Sequence, residues 1–166
     1  KTTTAVTLAD GLARLKKRTL LVDLDPQGHL ALSFGLEKSP GLYRLICLDE
    51  PLSEVVQPLR PNLDLVAGDK QTEKVKRQIT LSDFRETILS DILANAGYDA
   101  VLLDMAPSLD VLHINGLIAA DWVVIPTRPD ALAVDGVKEI LTTMAEISRN
   151  GHIYRGYSIL PTFFDR

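Results

Sequence analysis

Residues that would place the chain in several other protein classes are scarce or absent. The chain has 166 residues and one cysteine, Cys47, so an internal disulfide is excluded and a reducing cytoplasm is predicted. No apolar run reaches the roughly 20 residues that a membrane-spanning helix needs, and no membrane partner is expected. The formal net charge is −4, which gives no support to strong nucleic-acid binding by the segment as a whole.

The apolar residues that are present predict an α/β fold. They make up 46% of the chain and follow two alternating periodicities. Continuous or alternating apolar runs indicate strands at 19–25, 62–67, 100–104, 122–127 and 157–160. Helical spacing indicates helices at 4–17, 69–96, 109–120 and 132–149, with two short ones within 40–60. This alternation predicts a mostly parallel sheet with helices on both faces.

The first residues, Lys1-Thr2-Thr3-Thr4, match the end of a phosphate-binding P-loop without its glycines. Lys1 is expected to contact the β- and γ-phosphates, and the Thr2 hydroxyl is expected to bind Mg²⁺. One of the next two threonines is expected to contact phosphate, with Thr3 preferred, and the other to stabilise the first helical turn.

Three carboxylates lie at the carboxyl ends of two of the predicted strands, where an open α/β sheet binds its ligands. Asp23 and Asp104 are suited to hold Mg²⁺ mainly through water, whereas Asp25, before a Pro-Gln-Gly loop, is suited to orient an attacking water. An acid at a strand end is also a common turn residue, and for Asp23 this interpretation stays equally open. Together with Lys1 and Thr2, these acids predict a nucleotide–magnesium site.

The remaining polar features indicate no second site. His29, His113 and His152 have no metal-ligand spacing and are expected at the surface. The basic runs at 16–18 and 74–77 are expected to be solvated helix residues.

Three motifs resemble the ParA/Soj family of partition ATPases, which belong to the deviant Walker class of P-loop ATPases. They are Lys-Thr-Thr-Thr-Ala at 1–5, Leu-Val-Asp-Leu-Asp-Pro-Gln-Gly at 21–28 and Leu-Leu-Asp-x-x-Pro-Ser-Leu at 102–109. The segments 114–121, 124–127 and 160–166 are similar to the same family, so the resemblance covers nearly the whole chain. The Asp-x-Asp-Pro-Gln-Gly motif favours ParA over its relative MinD.

The resemblance implies a P-loop NTPase-type three-layer sandwich, with residues 1–166 forming a single, incomplete nucleotide-binding domain. It implies an ATPase that uses ATP and Mg²⁺, forms an ATP-dependent homodimer and binds DNA without sequence preference. A ParB-like protein would stimulate hydrolysis, and the cycle would partition plasmids or chromosomes at the nucleoid. By motif match, Lys1 is the P-loop lysine, Thr2 the Mg²⁺ ligand, Asp25 the acid needed for hydrolysis and Asp104 the Walker B acid.

The sequence also departs from the family pattern. The glycine loop, its signature lysine and the preceding strand are not found before Lys1, and Met105-Ala106 replaces the more usual residues after the Walker B acid. We therefore expect an internal piece of a longer protein, and weak ATP binding by residues 1–166 alone. Two alternatives stay open: a ParA-like relative that positions another cargo, and a binding module without turnover.

Overall fold

A computed structural model describes residues 1–163, apart from the side chains of Ala131 and Leu132. The helices are α1 Thr2–Arg14, α2 His29–Ser33, α3 Gly41–Cys47, α4 Leu52–Val55, α5 Thr72–Thr80, α6 Ile88–Leu93, α7 Val111–Ala119 and α8 Ala131–Arg149. The strands are β1 Thr19–Asp23, β2 Gln57–Arg60, β3 Leu63–Val66, β4 Ala100–Asp104, β5 Trp122–Thr127 and β6 Gly156–Pro161. They belong to two compact units, Lys1–Gly116 and Leu117–Arg166.

The sheet of the first unit has the strand order β2-β3-β1-β4. β1 pairs in parallel with β3 and with β4, and β2 adds an antiparallel edge strand to β3. Every residue of β1 is buried, because this strand lies inside the sheet and both of its faces are covered. Its continuous apolar sequence is the pattern expected for such a strand.

One face of this sheet packs against α1 and α2 through a core of small and branched side chains. Alanines at positions 9 and 13 let α1 approach the sheet closely, where Leu21 and Leu65 lie side by side in the strand register. Leu30 and Ala31 of α2 complete the cluster. This packing fixes the start of α1 near the carboxyl ends of the strands, where the candidate site lies.

The second unit contains a two-stranded parallel sheet, β5-β6, and the long helix α8. The carboxylate of Asp130 accepts a hydrogen bond from the backbone N–H of Ala133 at 2.8 Å, which caps the start of α8. Met144 and Ile147 are buried on this helix, as its apolar spacing predicts.

The predicted fold class is confirmed: the chain has a mostly parallel sheet flanked by helices. The bounds predicted for two strands, 100–104 and 122–127, agree with β4 and β5. The interpretation of residues 1–166 as a single domain stays a prediction. Phe164, Asp165 and Arg166, which contribute to the family resemblance, lie outside the described residues.

Two parts of the sequence-based interpretation are wrong. Residues 57–60 form the strand β2, at the end of the segment 40–60 for which only two short helices were predicted; Pro58 is tolerated there because β2 is an edge strand with an irregular register. The helix predicted over 69–96 is two helices, α5 and α6, separated by turns. Phe84 has the i, i+4 spacing of the apolar face of that predicted helix, yet it is 86% exposed and has a φ of 52°.

The buried side chain of Asn115 holds the start of α6 in place. The Asn115 amide oxygen accepts the backbone N–H of Leu89 at 3.1 Å, and its nitrogen donates to the carbonyls of Arg85 and Val111 at 2.7 and 2.9 Å. The side chain is fully buried, so water cannot replace these bonds.

We predict that Asn115→Ala destabilises the protein by about 2–4 kcal/mol, because three hydrogen bonds are lost and a buried N–H is left without an acceptor. Urea unfolding measures the change. Asn95→Ala, at an exposed position, is the matched control and should change stability by less than about 0.5 kcal/mol. Equal effects of the two substitutions would contradict the role given to Asn115.

Candidate active site

Two carboxylates lie side by side at the carboxyl edge of the first sheet. Asp23 is the last residue of β1 and Asp104 the last residue of β4, and the parallel register pairs them directly. Asp23 is fully buried and Asp104 is 4% exposed. Two acids in neighbouring, water-poor positions are costly unless protons, hydrogen bonds or cations offset their charge.

Asp23 organises the loop that follows its own strand. One carboxylate oxygen accepts the backbone N–H of Asp25 at 3.1 Å, and the other accepts the backbone N–H of Leu30 at 3.1 Å. The side chain therefore holds both ends of the segment between β1 and the second residue of α2. This structural role adds to the Mg²⁺ role predicted for Asp23, which stays a prediction.

Two glycines allow the same loop to lie directly against the backbone that follows β3. Gly28 has a φ of 62°, and a Cβ atom there would lie 2.4 Å from the carbonyl oxygen of Gly68. A Cβ atom on Gly68 would in turn lie 2.7 Å from the carbonyl oxygen of Asp23. Only glycine fits at either position without moving backbone, so the loop position is set by main-chain contact.

Asp25 lies in the middle of this loop and is partly buried. One of its carboxylate oxygens accepts the backbone N–H of Gln27 at 2.8 Å, and its carbonyl accepts the N–H of Gly28 at 3.0 Å. The Lys38 ammonium donates to the carbonyl oxygen of Gln27. Lys38 is a contributor to the loop that the sequence motifs did not indicate.

The start of α1 faces these acids. In the part of the chain that the structure describes, no side chain caps the first turn of α1, so its N–H groups are available to an anion. The Lys1 ammonium donates to the carbonyl oxygen of Ala106 at 3.3 Å, in the loop that follows Asp104. The Thr2 hydroxyl lies close enough to Asp104 to stabilise its ionised form.

Burial is the main cause of the pKa shifts of Asp23, Asp104 and Lys1. Burial raises the pKa of Asp23 to about 6, and the backbone N–H groups of Asp25 and Leu30 only partly oppose this shift. Burial also raises the pKa of Asp104, against the Thr2 hydroxyl and the Lys1 ammonium. The pKa of Lys1 is lowered by partial burial, although both Asp104 and Asp25 favour its charge. Binding of a cation beside these buried acids is therefore electrostatically favourable.

The structure thus brings together five of the six residues predicted for the site, namely Lys1, Thr2, Asp23, Asp25 and Asp104. Thr3 is exposed on α1, and its contact with phosphate stays a prediction. Among residues 1–163, no three His, Cys, Asp or Glu side chains are grouped as metal ligands.

Two expectations about residues around the site are wrong. His113 was expected at the surface, but it is 5% exposed. Lys76, in a basic run expected to be solvated, is paired with Asp110 at 2.8 Å. Asp110 also accepts the backbone N–H groups of Leu112 and His113, both at 3.1 Å, and so anchors the start of α7. Sequence spacing gives no signal for contacts between elements so far apart in the chain.

No helix within residues 1–163 has both the length and the hydropathy of a membrane span.

A model of the family described as "AAA domain" matches residues 1–154. The chain is 42% identical to the chromosome-partitioning ATPase Soj of Thermus thermophilus, with 99% of this chain and 65% of that protein covered. It is 35% identical to the chromosome partitioning protein ParA of Myxococcus xanthus, over 99% of this chain and 61% of that protein. The chain thus spans less than two thirds of the length of these relatives.

A similar fold is found in a solved structure of cobyrinic acid a,c-diamide synthase from Mycobacterium smegmatis. The two superpose with a TM-score of 0.88 at 29% identity, over 99% of this chain and 70% of that one. That protein was crystallised with an ATP analogue and magnesium.

We predict that the magnesium-free protein gains stability as the pH falls from about 7.5 to about 5. A carboxyl group whose pKa is raised on folding binds its proton more tightly in the folded state, so it destabilises the protein above pH 6 and less so below it. For Asp23 the gain is roughly 1 kcal/mol over this range. Urea unfolding in EDTA of the wild type and of Asp23→Asn measures it. Parallel pH profiles of the two proteins would contradict the prediction.

Proposed function

The chain belongs to the AAA domain family and is of the ParA/Soj type that its motifs predicted, and from that premise we propose that the encoded protein hydrolyses ATP with Mg²⁺ to partition plasmids or chromosomes. The observation that carries the proposal is the meeting of Lys1, Thr2 and the acids of two neighbouring strands at one sheet edge. A relative with an ATP analogue and magnesium in the same fold supports the choice of ligand.

The donor set fits the proposed metal. Two buried carboxylates and a hydroxyl are hard oxygen ligands, and the Lys1 ammonium lies near one of these carboxylates, Asp104. When bound, Mg²⁺ would neutralise charge on the phosphate oxygens. We assign Thr2 as its direct ligand, and Asp23 and Asp104 as acceptors for the water molecules around it. Because Asp23 already accepts two N–H groups, Asp104 has the greater freedom to do so.

The start of α1 is the proposed phosphate site. Its N–H groups and the positive end of the helix dipole attract a phosphate group, and Lys1 adds a full charge. Binding would draw Lys1 away from the carbonyl oxygen of Ala106. Thr3 is proposed to contact phosphate at the same helix start.

Asp25 is the proposed catalytic residue for hydrolysis. The N–H of Gln27 fixes one oxygen of its carboxylate, which leaves the other to accept a hydrogen bond from the attacking water. A water held in line with the bond to be broken is the main protein contribution in this reaction class.

The proposal extends to the cycle of dimerisation, DNA binding and ATP hydrolysis. We propose an ATP-dependent homodimer that binds DNA without sequence preference at the nucleoid, and a ParB-like protein that stimulates hydrolysis. The Soj and ParA relatives are both named as chromosome-partitioning proteins, which supports this cycle. Since the net charge of the chain is −4, a DNA-binding surface must be local or lie largely outside this segment. We also propose that residues 1–166 form one nucleotide-binding domain.

We predict that Asp25→Ala lowers the ATP turnover of the full-length protein by at least about 100-fold, because the attacking water is no longer oriented. Affinity for ATP should change by less than about threefold, since Asp25 is not among the phosphate ligands. Phosphate release and nucleotide titration measure the two quantities.

Asp83→Ala is the matched control, because it removes the same charge from an exposed turn in the same unit. Its turnover should equal that of the wild type. Wild-type turnover in Asp25→Ala would remove Asp25 from the catalytic role and support a binding module without turnover.

We predict that ATP, but not ADP, converts the full-length protein to a dimer that binds DNA. Affinity for DNA should fall steeply as salt rises, because counterions released from the phosphates supply much of the driving force. Light scattering and DNA binding with ATP, with ADP and without nucleotide measure this. A monomer that ignores DNA in all three conditions would contradict the partition function.

A further inference from the structure

A buried histidine lies against the loop that follows Asp104. His113 is on α7 and is 5% exposed, yet neither of its ring nitrogens has a hydrogen-bond partner among the described residues. Buried polar groups are nearly always paired, so each exception needs an explanation. The carbonyl groups of Ala106 and Ser108 lie close enough to favour a proton on the ring, although neither is in hydrogen-bonding geometry.

The imidazole is neutral in this environment. Burial lowers the pKa of His113 below its usual range, and the nearby Lys1 ammonium lowers it further. A neutral imidazole carries one N–H donor and one acceptor nitrogen. His113 can therefore donate one hydrogen bond to the loop at neutral pH.

The same helix already holds the loop one residue earlier. A Cβ atom on Gly116 would lie 2.4 Å from the sulfur of Met105, so glycine at this position leaves the space that the Met105 side chain fills. His113 and Gly116 are three residues apart and share one face of α7. The start of that helix is fixed in turn by Asp110, which accepts hydrogen bonds from Ser108 and Lys76.

The carbonyl oxygen of Ala106 has a different donor at present. It accepts the Lys1 ammonium at 3.3 Å, a long hydrogen bond. Lys1 is the residue proposed to turn toward phosphate when nucleotide binds. Its departure leaves that carbonyl without a donor among the described residues, beside an imidazole that has no partner among them either.

We propose that His113 is a positioning residue: when Lys1 moves to phosphate, the His113 ring N–H donates to the carbonyl oxygen of Ala106 and holds residues 105–108 in place for hydrolysis. The inference rests on the proposed ATPase function. It gives the Met105-Ala106 sequence a partner on α7, through Gly116 for the first residue and His113 for the second.

Kinetics of the full-length protein test the proposal. His113→Phe keeps a buried ring and removes the donor, so kcat should fall about two- to tenfold, the worth of one hydrogen bond, while KM stays within about twofold. His113→Asn keeps a donor and should recover much of the loss. The unfolding midpoint of His113→Phe without nucleotide should be unchanged or higher, because a buried unpaired polar group is removed.

His152→Phe is the matched control. It removes an imidazole that lies 3.0 Å from the carbonyl oxygen of Ala120 in the second unit, and its kcat should equal that of the wild type. Unchanged kcat in His113→Phe would overturn the proposal. A fall in kcat accompanied by a fall in the unfolding midpoint, without recovery in His113→Asn, would show a purely structural role and would also overturn it.

Nitrogen chemical shifts of the His113 ring separate this proposal from the ATPase function. In the wild type without nucleotide, the ring N–H should show no hydrogen bond, and in Lys1→Ala without nucleotide it should show one. Wild-type protein with ATP and Mg²⁺ should match Lys1→Ala. An unchanged ring signal in Lys1→Ala would overturn the exchange of donors even where hydrolysis is intact. Absent hydrolysis in the wild type would instead contradict the proposed function.

Discussion

The buried carboxylate of Asp23 is the constraint on which the candidate site depends. It ends the central strand, accepts the N–H groups of Asp25 and Leu30, and lies beside Asp104 in the register of the sheet. Its hydrogen bonds position the loop that carries Asp25, and its burial raises its own pKa to about 6. The Asp23 carboxylate therefore positions the Asp25 loop and also favours a cation bound at the site.

The second half of the site is organised from α7 rather than from the sheet. The loop after Asp104 ends at Asp110, which is tied to α5 through Lys76 and anchors the start of α7. Two elements therefore position the site. Asp23 positions the loop that carries Asp25, and α7 positions the loop that follows Asp104. Lys1 lies between them, close to Asp104 and Asp25 and bonded to Ala106.

The features that the sequence could predict are those set by local pattern. Continuous apolar runs are typical of parallel strands, and they predict the bounds of β4 and β5 correctly. The acids at the strand ends meet because parallel strands share one edge. Long-range contacts carry no such pattern. The burial of His113, the pairing of Lys76 with Asp110 and the space beside Gly116 all depend on elements that meet only in the folded chain.

Two errors have a shared physical reason, which is that tertiary context overrides local propensity. Pro58 is compatible with a strand because β2 is at the sheet edge. The apolar spacing from Phe84 onward looks helical, yet Asn115 binds the carbonyl of Arg85 and the N–H of Leu89, and the chain turns before α6 begins. A buried amide that serves two backbone groups outweighs a weak helical preference.

The direct backbone contact between Gly28 and Gly68 has a consequence for protein engineering. A Cβ atom at either position would collide with a carbonyl oxygen, and no side-chain layer between the two segments could adjust to absorb a larger residue. Variant libraries aimed at the specificity or speed of this site should therefore keep both glycines and diversify the exposed Gln27 instead. The freedom to redesign this loop lies on its solvent side, one residue away from positions that admit a single amino acid.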